Sequence, residues 1–86
     1  MKLSNRAKEW KTFSQQVLFH IEDYAVRQYG DSPTDQLSEY SPEDCIKQIQ
    51  KYANRHFSGQ RGPVEKQRDL LKMAHYTAVC FFKEKY

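Results

Sequence analysis

Two apolar stripes joined by a seven-residue link, Phe57-Ser58-Gly59-Gln60-Arg61-Gly62-Pro63, constrain this chain more than any other feature. On the first, Cys45, Ile46, Ile49, Tyr52, Ala53 and Phe57 recur at steps of three and four. On the second, Leu70, Leu71, Ala74, Thr77, Ala78 and Phe81 keep the same rhythm. That period is the mark of a buried helical face. The first helix has a strong start: Ser41 can cap the free N–H groups of the opening turn, Pro42 suits the first helical position, and Glu43 and Asp44 place negative charge where the helix dipole favours it. Gly59 and Gly62 stop it, and Pro63 opens the next. So short a link makes the two helices antiparallel neighbours. A hairpin over residues 42–84 is the expected centre of the fold.

Ahead of it, residues 4–29 contain neither Gly nor Pro and predict one long helix. Ser4 or Asn5 can cap it, and Leu3, Ala7, Trp10, Val17, Ile21 and Tyr24 form its apolar stripe, widened by Phe13, Leu18 and Ala25. Gly30 can take the positive φ that a helix end often needs. Residues 30–41 read as an acidic connector, with turn formers Asp31, Ser32 and Pro33, and with Leu37 and Tyr40 as anchors to the body. The expected fold class is therefore all-α, with three helices: a long N-terminal helix packed on an antiparallel hairpin, in one domain spanning 1–86. A chain of 86 residues has a thin core. With one Trp, five Phe and six Tyr, some aromatics must stay outside it. A homo-oligomer is expected on that ground.

Charge is distributed unevenly. Asp31, Asp35, Glu39, Glu43 and Asp44 have no positive residue among them, whereas nine Lys and Arg against three Asp and Glu follow Asp44. Lys47, Lys51 and Arg55 lie four apart on one helical ridge, Arg68 and Lys72 do so on the other, and Arg61 sits between. A face of this kind attracts anions. The expected ligand-binding residues are Lys47, Lys51, Arg55, Arg61, Arg68 and Lys72 for charge, with Tyr52 and Tyr76 for stacking on a base.

Other chemistries find little support. His20, His56, His75, Cys45 and Cys80 have no metal-ligand spacing, so no metal and no cofactor are expected. Paired carboxylates for magnesium-dependent hydrolysis reduce to Glu39 with Glu43 and Glu65 with Asp69, the latter two beside basic neighbours. Ser14 and Ser58 lack a His at nucleophile–base spacing, and Gly59-Gln60-Arg61-Gly62 lacks the Lys of a phosphate loop. No catalytic residues are assigned, and the chain reads as a non-enzyme. Direct DNA reading is the weaker use of the basic helices, because the second begins Pro63-Val64-Glu65. No apolar run approaches a membrane span. No secretory signal is expected behind Met1-Lys2-Leu3, and two buried free thiols suit a reducing cytoplasm.

Lys51-Tyr52-x-x-Arg55, followed by Asp69-Leu70-Leu71-Lys72 and Tyr76, resembles an uncharacterised family of small bacteriophage helical proteins. Those have a K-Y-x-x-R helix, a short basic turn and a D-L-x-K-x-x-x-Y helix. The resemblance covers the last half of the chain and implies a phage origin and an accessory role during infection. Some members are labelled nucleotide kinases, which this chain has no phosphate loop to support. The functional expectation is a non-enzymatic protein that holds a phosphate-bearing ligand such as a nucleotide on the hairpin's basic face, one use being to counter host defence. The alternative is an inhibitor or adaptor that engages a host protein through surface aromatics and the acidic connector.

Overall fold

A computed structural model describes residues 2–32, 34–58 and 62–84. All the regular structure in them is helical, as the apolar periods require. Helix α1 (Asn5–His20) begins at Ser4, whose hydroxyl accepts the Ala7 N–H at 3.2 Å. It runs without interruption into a π-helical segment, Ile21–Ala25, and then one α turn, α2 (Val26–Tyr29). Gly30 ends the rod at φ 89°, a value an L side chain rarely adopts, and its ψ of −173° sends the chain off extended. The π segment was not foreseen. It holds one extra residue in its turn, closed by the Val26 N–H on the Ile21 carbonyl.

The connector is more ordered than its turn formers suggest. Asp35 caps a 3-10 turn, Gln36–Glu39, by accepting the Ser38 N–H, and Lys83 Nζ donates to the Ser38 carbonyl at 3.1 Å. Leu37 and Tyr40 pack on the core, as expected.

Helix α3 (Pro42–His56) opens on a complete capping box. The Ser41 hydroxyl accepts the Asp44 N–H (3.1 Å) and the Ser41 N–H donates to the Asp44 carboxylate (2.9 Å). These bonds hold the Asp44 carboxyl below the usual carboxylate range. Helix α4 (Pro63–Lys83) starts on the proline. The two run antiparallel: Cys80 Sγ reaches the Pro42 carbonyl at one end, and Lys72 lies over the Tyr52 ring towards the other. Cys45 and Cys80 are both buried free thiols. The rod packs mainly on α4, making α4 the central helix with neighbours on two sides.

The face that α4 buries differs from the expected one. Asp69, Tyr76 and Cys80 are buried, with Met73 and Val79 beside them, while Leu70, Thr77, Ala78 and Phe81 are exposed. On α3, Cys45 and Tyr52 point inward as expected, but Ile46 and Phe57 do not. The cause is aromatic. Tyr76 stacks with Tyr40 and Tyr52, with ring centroids 6.3 and 6.1 Å apart, and meets Tyr29 edge-on. Its hydroxyl hydrogen-bonds that of Tyr29 at 2.7 Å. Four tyrosines from four segments therefore meet at one point. Large rings with a satisfied polar tip outweigh an aliphatic stripe for the same space. With Tyr76 turned inward, Leu70 and Phe81 lie about 120° and 140° away around the helix.

Candidate functional site

Beside the tyrosine cluster, the rod and the hairpin leave a cleft of about 140 Å³. His20, Tyr24, Gln28 and Tyr29 line it from the rod. Tyr52, Arg68, Lys72, His75 and Tyr76 line it from the hairpin. Of the rod's contributors, His20 flanks the π segment and Tyr24 and Ala25 lie within it, and its extra residue sets the angle at which Tyr24 and Tyr29 meet α4. π segments of this kind are frequent at functional sites.

The cleft's charge comes from α4. The Arg68 guanidinium lies 5.2 Å from the Tyr24 ring centroid, and Lys72 Nζ lies 5.2 Å from that of Tyr52. Lys51 and Arg55 approach the Tyr52 ring as well, at 5.6 and 5.5 Å. Three cations from two helices thus gather on one phenol ring, whose quadrupole face attracts them. Burial raises the Tyr52 phenol first, and Tyr29 and the buried Asp69 add to it while Arg55 opposes them.

The imidazoles are kept neutral. His20 is buried and stacked on Tyr24, with centroids 5.5 Å apart. Desolvation, then the charges of Lys72 and Arg68, lower its pKa. His75, tilted against Tyr76, is lowered by desolvation and then by His20. Burial, then the Tyr29 hydrogen bond, pushes the Tyr76 phenol far up. At neutral pH the cleft therefore offers neutral imidazole and phenol groups around the positive charge of Arg68 and Lys72. No Asp or Glu is among its described lining residues.

The structure divides the expected ligand-binding set. Tyr52, Arg68, Lys72 and Tyr76 line the cleft, and Lys51 and Arg55 stand beside it on the Tyr52 ring. Lys47 is elsewhere, in a shallow depression shared with Glu39 and Asp44. Arg61 lies outside the described residues. Tyr52 and Tyr76 are 7% and 3% exposed, and each has a face against the other. They form a floor and cannot stack on a base. Sequence reading missed the rod's contribution, above all His20, Tyr24 and Tyr29. Its one trace was Tyr24, which the sequence places on the first helix's apolar stripe.

Among the described residues no three His, Cys, Asp or Glu side chains gather to hold a metal ion, and no helix is long and apolar enough to cross a membrane. No protein-family model, curated protein or solved structure matches the chain.

Proposed function

We propose that the cleft between rod and hairpin binds a small phosphate-bearing ligand without transforming it. The observation that carries this reading is that Arg68 and Lys72 enter one cleft whose described lining holds two imidazoles, several phenols and no carboxylate. A phosphoryl group placed there meets two cations and neutral donors from His20, Gln28 or Tyr29. The volume suits a phosphate more than a whole nucleotide, whose usual pockets are several times larger. A sugar and base would lie outward over Tyr24, which is exposed. Sequestering a host nucleotide would be one use of such a site, given the phage origin that the hairpin motif implies.

Thermal unfolding in near-physiological salt, against inorganic phosphate and nucleoside 5′-monophosphates, tests this. A ligand at 100 times its Kd stabilises the folded state by about 2.7 kcal/mol. Arg68→Gln combined with Lys72→Gln abolishes the shift, and Lys47→Gln leaves it unchanged. Absence of a shift with every phosphate tried, or a shift that survives the double substitution, refutes the assignment. The alternative of an inhibitor or adaptor rests on Trp10, Phe57 and Phe82, which are exposed.

A further inference from the structure

We infer that the outer face of α4 pairs antiparallel with the same face of a second copy of this chain. Two sides of α4 are taken, by α3 and by the rod, and the third is open. That third side is the aliphatic stripe displaced by the tyrosines: Leu70 is 48% and Phe81 62% exposed, with Ala74 and Thr77 between them.

The spacing of this stripe is self-complementary. A two-fold axis through the midpoint of Leu70 and Phe81 also bisects Ala74 and Thr77. Leu70 of one copy then faces Phe81 of the other, and the two small side chains face each other at the centre, where the helices can approach closely. The Thr77 hydroxyl already donates to the Met73 carbonyl at 2.8 Å, so covering it strands no donor. Beside Leu70 is a groove of about 430 Å³, lined by Phe13, Gln16, Gln67, Leu70 and Leu71. In this register each groove receives the other copy's Phe81. Along one flank, Lys66 comes opposite Glu84 of the other copy, so the rim charges also agree.

The surface area favours a second copy. The chain exposes 6904 Å², where a compact monomer of 10.3 kDa exposes about 5,400 Å². Its radius of gyration is 14.2 Å against about 12 Å for a compact chain of this length. The surplus of roughly 1,500 Å² is spread over the whole chain, and a second copy on the outer face of α4 covers part of it.

Sedimentation velocity of the full chain over a concentration series tests the pairing, with circular dichroism to confirm that each variant keeps its helices. The wild type sediments as two chains. Phe81→Glu and Leu70→Lys each raise the dimer dissociation constant by at least about 30-fold and run as monomers. Phe57→Glu, at the end of α3, leaves the dimer intact. Mixing the two monomeric variants restores a dimer, because one Leu–Phe contact survives and the other becomes a Lys–Glu pair. A monomeric or larger wild type, a Phe81→Glu variant that still dimerises, or a mixture that stays monomeric overturns the proposal; a monomeric wild type would assign the face to a different partner. Arg68 and Lys72 are untouched in these variants, so failure here and failure of the anion cleft read separately.

Discussion

Removing one hydroxyl from the tyrosine cluster should destabilise the protein, and removing its partner as well should restore part of the loss. The Tyr29 and Tyr76 hydroxyls are 2.7 Å apart. Tyr76 is the more deeply buried, and Tyr29 is half-buried at the edge of the cleft. In Tyr29→Phe the rings still pack, but the Tyr76 hydroxyl is left in the core without its partner. An orphaned buried hydroxyl costs about 1–3 kcal/mol. In Tyr76→Phe the remaining hydroxyl sits where water can reach it, so only the net value of the bond is lost, about 0.5–1.5 kcal/mol. For a domain of this size 1 kcal/mol shifts Tm by about 4–8 °C. At the middle of that range, about 2 kcal/mol, Tyr29→Phe is expected to lower Tm by about 8–16 °C, Tyr76→Phe by about half of that, and the double variant by no more than Tyr76→Phe alone. Thermal unfolding followed by circular dichroism at one fixed protein concentration gives the three values. A double variant less stable than Tyr29→Phe, or single variants with the order reversed, would refute the reasoning.

Acid should weaken the fold through its imidazoles. The folded-state pKa values of His20 and His75 lie below 6.5, so under that pH the unfolded chain binds protons that the folded chain resists. Stability is at its plateau above about pH 6.5 and falls as pH drops beneath it; urea midpoints that stay flat between pH 7 and 5 in the wild type would contradict this. The groups facing His20 are Lys72, Arg68, His75 and Tyr24, and replacing His20 with Gln should flatten the slope. Ser41→Ala removes the hydroxyl arm of the capping box, leaving the backbone N–H arm to Asp44, and should cost about 1 kcal/mol, read as a lower urea midpoint at unchanged m-value.

The start and stop signals of the hairpin could be read from Ser41, Pro42 and Pro63 because capping is local chemistry, decided within four residues. The direction in which α4 faces could not. It carries two apolar surfaces, Met73–Tyr76–Cys80 and Leu70–Ala74–Phe81, and periodicity weighs them alike. The choice depends on Tyr29 and Tyr40, which are distant in sequence and supply the hydroxyl and ring that Tyr76 meets. The candidate site was legible on the same terms. The cations of one helix ridge, Lys51 with Arg55, could be grouped by spacing, and Arg68 with Lys72 likewise. That the first helix would bring His20 and Tyr24 to those cations was not legible, because His20 lies off the apolar stripe and Tyr24, though on it, is aimed by a π turn that periodicity does not announce.

That turn also separates the rod into two parts with independent aim. An unbroken α-helix ties the heading of every side chain to every other by a constant 100° step. One surplus residue between Ile21 and Ala25 offsets the two sections by roughly that step. Selection can thus tune the forward section, with Trp10 and Phe13, for whatever it touches without disturbing how Tyr29 greets Tyr76. A relative lacking the surplus residue would have to find a different way to bring a phenol to that place.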